Sequence, residues 1–249
     1  VGRRIACPQS TLFLITSIIY LALRAQAWKA DDIERSVRRW FVMSVLTGRY
    51  SGSAESQIDQ DIRQIHDQGF ERYATAVQDA QLSTAYWTGL LPQQMNTSSA
   101  ASPAFRVFQA AQVKLGDRGF LSRDITVQDL ILNKSDVHHL FPKDHLKKNG
   151  LTRARYNQIA NYAVTQTEIN IAISSRPPSD YFSYMVSRQC RGGTRKYGGI
   201  QDLDELRENM RMHCIPDGFE NWDASNYDAF LEERRKLMAT RIQTYYQVL

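Results

Sequence analysis

The stretch DVHHLFPKDHL, residues 136–146, decides how this chain reads. It sets two neighbouring imidazoles, His138 and His139, in a short apolar run and follows them with Pro142 and Lys143. VHHLF has the composition of a β-strand, as does YAVT at 162–165. Successive side chains of an extended strand point to opposite faces, so the two histidines are expected to divide two roles. A metal ligand offers a neutral imidazole nitrogen to a cation, and a general base offers its own to a water molecule.

The remaining parts lie downstream. Asn161 opens NYAVTQ, and Asn170 follows nine positions later in TEIN, behind Thr167 as the expected N-cap of a short helix. That helix must end before Pro177 and Pro178, and it turns Asn170 outward from its first turn. Strand, strand and helix bearing His-His, Asn and Asn make a ββα-metal pattern over about residues 134–178. An amide oxygen suits a hard divalent ion, and a second amide can fix an imidazole tautomer by accepting its other N–H.

Composition sets the frame. The chain has 249 residues, 43% of them hydrophobic, which is enough for a substantial core. Lys and Arg number 31 against 26 Asp and Glu, and a formal charge of +5 tolerates a polyanionic partner without demonstrating one. Cys7, Cys190 and Cys214 are odd in number and contain no CxxC, so neither a disulfide framework nor a zinc knuckle is supported, and a reducing compartment is expected.

Organisation along the chain is mostly helical. VGRRIACPQ, TLFLITSIIYLAL and Ala25-Gln26-Ala27 mimic the three regions of a signal peptide. The apolar run is short for a membrane span, and residues 11–28 read instead as a buried helix of a larger protein. Ile33, Val37, Trp40, Phe41 and Val45 form a helical seam ending near Gly48, and Ile58, Ile62 and Ile65 a second ending at Gly69. NTSSAASP at 96–103 reads as a loop, and Ser102-Pro103 opens a helix through Phe105, Phe108 and Val113. Ser225 and Asp228 start a long C-terminal helix through Phe230, Leu231, Leu237, Met238, Ile242 and Tyr245. The expected fold is α+β and mostly α-helical: a helical scaffold over residues 1–100, then an embedded ββα finger and C-terminal helices over 101–249.

With these residues in place, the chain resembles the HNH, or His-Me finger, nucleases, and within them the DUF1524 subgroup. That subgroup usually follows a DUF262 domain in GmrSD-type restriction and phage-defence proteins. HHLFPK, IANYAV and NIAISSRPPSDYF match it in order, and WFVMSVLTGRYSGSAESQIDQDI and VKLGDRGFLS are similar to the stretches ahead of its catalytic strand. The likeness spans about residues 35–185. It implies a metal-dependent DNA endonuclease, by default a nickase, in the bacterial cytoplasm, whose partner is an N-terminal nucleotide-binding DUF262 domain. His139 is then the general base, Asn161 the residue that orients it, and His138 and Asn170 the ligands of one divalent ion. Many relatives carry an acidic residue where His138 stands, so Mg²⁺ or Mn²⁺ is expected with Ni²⁺ or Zn²⁺ also open. Asp136, one strand period from His138, is either an extra ligand, a brace for one, or a solvated carboxylate.

His145 reads as a loop histidine that could approach the site, while His66 and His213 read as structural. Between Lys143 and Arg155 stand five basic residues, Lys143, Lys147, Lys148, Arg153 and Arg155, against Asp144 alone. With Arg176 they are the candidate phosphate contacts. Arg188, Arg191, Arg195 and Lys196 are threaded with glycines, which suits a flexible arm on DNA. Two other classes stay open: a catalytically silent nucleic-acid-binding module, and a secreted non-specific nuclease.

Overall fold

The structure, a computed structural model, describes residues 8–133 and 137–249. Asp136 and Cys7 lie outside the described residues. The chain forms two compact units, one running to Gly89 and including Tyr246–Leu249, the other Leu90–Tyr245. Among the described residues it is mostly helical, with one two-stranded sheet.

The first unit holds α1 (Pro8–Ala25), α2 (Ala30–Thr47), α3 (Ala54–Gln68) and α4 (Phe70–Gln81). The buried helix expected over residues 11–28 needs correction. α1 ends at Ala25, and Ala27 at φ 59° helps turn the chain toward α2. Leu12, Ile15, Ile19 and Leu23 are buried, but Phe13, Leu14 and Leu21 are 60%, 56% and 62% exposed. The four buried residues recur at helical spacing and form one stripe, and α1 packs on α2. Among the described residues no helix is long and apolar enough to cross a membrane.

α2 stops where its sequence says, at Gly48 with φ 64°, a left-handed value that glycine takes without penalty. The α3 seam corrects a second expectation. Ile62 is exposed, Ile58 and Ile65 are half-buried, and the one side chain α3 buries is Asp61. Asp61 accepts hydrogen bonds from Arg49, Gln57, Tyr50 (2.6 Å) and Tyr73 (2.8 Å), and Tyr50 takes the Trp40 indole N–H at 3.0 Å. Burial alone would raise the Asp61 pKa, but the hydrogen bonds from Arg49, Tyr50 and Tyr73 outweigh it and hold the carboxyl below its ordinary value. A buried charge persists when it is paired and fully hydrogen-bonded.

The second unit holds α5 (Leu91–Gln94), α6 (Pro103–Lys114), α7 (Val127–Leu132), β1 (Val137–His139), α8 (Lys143–Lys148) and α9 (Arg153–Tyr156). It continues with β2 (Tyr162–Val164), α10 (Thr167–Ile173), α11 (Pro178–Tyr184), α12 (Leu203–Met212) and most of α13 (Tyr227–Gln247). Ser102 caps α6 as expected, its hydroxyl accepting from Phe105 N–H. α13 starts at Tyr227, because Asp223 takes the Ser225 N–H at 2.8 Å and closes a 3₁₀ turn ahead of it. Phe141, Phe219, Tyr227 and Phe230 build an aromatic core, with Phe141 and Phe230 4.9 Å apart. Arg234 is fully buried in this unit and donates to two backbone carbonyls, Ala160 O at 2.7 Å and His213 O at 3.1 Å. Burial lowers its pKa to about 10, so it stays a cation at neutral pH.

Candidate functional site

β1 and β2 pair antiparallel, with Val137 opposite Val164, His138 opposite Ala163 and His139 opposite Tyr162. The loop ahead of them braces β2: Phe120 N–H donates to Val164 O at 2.8 Å and the Thr165 hydroxyl to Phe120 O at 2.6 Å. Strand alternation separates the two imidazoles as the pleat requires. His138 turns inward, 2% exposed, stacked on Phe120 at 5.8 Å. His139 stays partly exposed, edge-on to Tyr162 at 5.0 Å. Both nevertheless line one pocket of about 300 Å³, with Lys143, Asp144, Asn170 and Ser174.

His138 Nδ1 lies 2.7 Å from Asn170 Oδ1. Its Nε2 is buried without a hydrogen-bond partner. Burial pushes the His138 pKa down to about 4, against the pull of Asn170, so the ring is neutral throughout the physiological range. The helix that carries Asn170 starts one residue earlier than its sequence suggests, since Gln166 is the N-cap and Thr167 the first helical residue. Gln166 is held by the Ser122 hydroxyl. At the other end Ser174 takes φ 54° and ψ −123°, while its N–H closes on Asn170 O at 3.0 Å.

His139 Nε2 lies 3.0 Å from Asn157 Oδ1. Burial lowers the His139 pKa, the bond to Asn157 raises it, and the Lys143 charge lowers it further, for a net decrease. Asn161 makes no such contact with the imidazole. It is fully buried, and its Oδ1 accepts Phe141 N–H at 2.8 Å. Its Nδ2 donates to Phe141 O at 3.0 Å and Tyr156 O at 3.2 Å, and its own carbonyl takes Leu140 N–H at 2.9 Å. Asn161 therefore bears on His139 only through the backbone on either side of it.

The other candidates disperse. His145, on α8, has Nε2 buried without a partner and does not line the pocket. Of the basic candidates only Lys143 lines it. Lys147 faces Asp144 at 3.9 Å and Arg155 is ion-paired to Asp228 at 2.6 Å, while Lys148 and Arg153 are exposed. Arg176 donates to Ala172 O at 2.8 Å and stands 3.9 Å from Asp180. The glycine-threaded arm is also corrected: buried Gln189 accepts from Lys196 N–H (2.7 Å) and Tyr197 N–H (2.9 Å) and donates to Tyr197 O and Ile200 O (both 2.9 Å). Four bonds to one side chain fasten that loop to the body.

Asn157 and Ser174 are the site residues that the sequence does not announce. Asn157 lies in RYNQ with no spacing to flag it, and a positive φ at a serine has no glycine to mark it.

Among the described residues no three His, Cys, Asp or Glu side chains are grouped to hold a metal ion. No family model matches the chain, and no solved structure matches it. It is similar to an uncharacterized protein of Methanocaldococcus jannaschii, with 26% identity over 220 residues. The match takes in 83% of this chain and 36% of that protein, so the chain spans little more than a third of its relative's length.

Proposed function

We propose that the second unit is a metal-dependent DNA endonuclease of the HNH type, nicking one strand per engagement, with β1, β2 and α10 as its ββα finger. The observation that carries the reading is the double pairing at one pocket: His138 with Asn170 at 2.7 Å and His139 with Asn157 at 3.0 Å. A neutral imidazole and an amide oxygen are a sound donor pair for a divalent ion. His138 and Asn170 would hold the ion. What it supplies, when bound, is charge stabilisation at the scissile phosphate and the leaving 3′ oxygen.

The chain's own residues do the rest. His139, with its depressed pKa, is neutral at physiological pH and takes the proton from the attacking water. Lys143 lies in the same pocket and draws the phosphate toward it. Asn161 ties Phe141 to Tyr156 and so keeps the hairpin closed beneath the imidazole. In this reading Mg²⁺ or Mn²⁺ is the working metal, and the chain is the effector part of a cytoplasmic restriction or anti-phage protein. The greater length of the archaeal relative is in keeping with a further partner domain.

The test is conversion of supercoiled plasmid with Mg²⁺, Mn²⁺ or EDTA. Open-circle product is expected with either metal and none with EDTA. His139→Ala should abolish nicking, a loss of at least about 10²-fold, while its gel shift with DNA is unchanged. Nicking by His139→Ala at the wild-type rate would remove the assignment.

A further inference from the structure

His139 can act as a base only through a nitrogen that carries no hydrogen, and neutral imidazole has one such nitrogen. Which one is free depends on what the other meets. The partner of Nε2 is the Asn157 amide oxygen at 3.0 Å, an acceptor that needs the hydrogen on the imidazole side. We infer that Asn157 is the positioning residue of His139: it holds the ring as the Nε2–H tautomer and leaves Nδ1 as the nitrogen that receives the proton from water. The inference rests on the endonuclease reading for the proton transfer, and on the hydrogen bond alone for the tautomer.

Three features favour Asn157 over Asn161, the residue the sequence pattern offers for this task. Asn161 has both ends of its amide engaged by backbone, with Phe141 on one side and Phe141 and Tyr156 on the other, so it has nothing to give an imidazole. Asn157 is the C-cap of α9, in a non-helical conformation at φ −83° and ψ 87°. The turn that presents it is also fastened: Tyr156 O accepts from both Asn161 Nδ2 at 3.2 Å and the Tyr227 hydroxyl at 3.1 Å. Asn161 thus holds the two backbones that carry His139 and Asn157, and Asn157 touches the ring. A group that orients a reactive imidazole in this way is worth about 10–100-fold in activity.

The experiment compares wild type, Asn157→Ala and Asn157→Asp on plasmid. It also records ¹H–¹⁵N correlations of the imidazole nitrogens, which report the tautomer whether or not the protein cuts. A carboxylate accepts the same N–H, so Asn157→Asp should keep kcat within a few-fold of wild type. Asn157→Ala should lose about 10–100-fold in kcat with KM for DNA unchanged. In the spectra His139 is expected as the Nε2–H tautomer in wild type and Asn157→Asp, and as a mixture in Asn157→Ala. An Nδ1–H tautomer in a wild-type protein that nicks overturns the inference and spares the nuclease reading. An Nε2–H tautomer in a protein that fails to nick in either metal supports the tautomer assignment and sinks the nuclease reading. Equal kcat loss in both variants, with the tautomer unchanged, reduces Asn157 to a structural residue and overturns the inference.

Discussion

Ser174 holds a backbone conformation, φ 54° and ψ −123°, that side chains rarely adopt, and it does so in the wall of the His138–Asn170 pocket. Such strain costs of order 1–3 kcal/mol, and it persists where the surrounding structure overdetermines it. Here the fixing bonds are its N–H on Asn170 O and the Arg176 guanidinium on Ala172 O and Ile173 O just upstream. Glycine would take the same angles freely but lose more freedom on folding, a countervailing ~0.5–1 kcal/mol. Ser174→Gly should therefore stabilise the protein by about 1 kcal/mol, read as a higher urea midpoint, while Ser174→Ala leaves the midpoint near wild type. If glycine lowers the midpoint, the strain is not there. At this scale the sequence singles out His138, His139 and Asn170 as candidates, because adjacency, strand period and a helix start are local patterns. Asn157 is hidden, since its meeting with His139 across 18 positions depends on where α9 ends and how the hairpin pairs. The same holds for Asn161, whose partners are backbone atoms that no residue pattern displays.

Elements carry the second kind of dependence. The β1–β2 hairpin has only three residues a strand, too little for stability alone, so its closure falls on side chains such as Asn161. Asn161→Ala leaves Phe141 N–H and Phe141 O short of a buried partner, at about 1–3 kcal/mol each where no water replaces it, while Tyr156 O keeps the Tyr227 hydroxyl. Under the proposed function, activity and thermal stability should fall together in that variant, whereas His139→Ala should cost activity alone; calorimetry beside the plasmid assay separates the two. α3 shows how an element can be legible and its burial not. Its isoleucine spacing gives a helix of the right length ending at Gly69, yet the buried position is Asp61, because Arg49, Tyr50 and Tyr73 converge on that carboxylate from outside α3. The folded Asp61 pKa lies below its ordinary value. Its ionised form is thus favoured by folding, and the stabilisation is full above about pH 4 and drains as pH falls through the depressed folded value. Asp61→Ala strands Arg49 and should cost about 3–5 kcal/mol at pH 7. The gap from wild type should narrow on titration toward acid, measured by urea unfolding at each pH.

For the whole molecule, the proposed function raises the question of which charges would reach DNA. A formal +5 spread over 249 residues would set only a weak attraction, and sequence position alone makes the run Lys143–Arg155 a candidate phosphate track. The fold divides that run. Lys143 lines the pocket, while Arg155 is ion-paired with Asp228 at 2.6 Å on α13. That pairing joins residues 73 positions apart, so no local charge count could subtract it. Each phosphate neutralised by a cation releases condensed counterions, and the slope of log affinity against log salt changes by about 0.9 for every phosphate that is no longer neutralised. Measured in the His139→Ala background, where DNA stays intact, Lys143→Ala should weaken binding across sequences and make the slope shallower by about one. Arg155→Ala should leave the slope where it was, because the guanidinium it removes is held by a carboxylate. Equal changes in the two variants would mean that the Asp228 pair opens when DNA binds and that the track runs along α9 as well as through the pocket. No change in either would put the phosphate path on another face, and the pocket would then have no part in drawing substrate to the imidazoles.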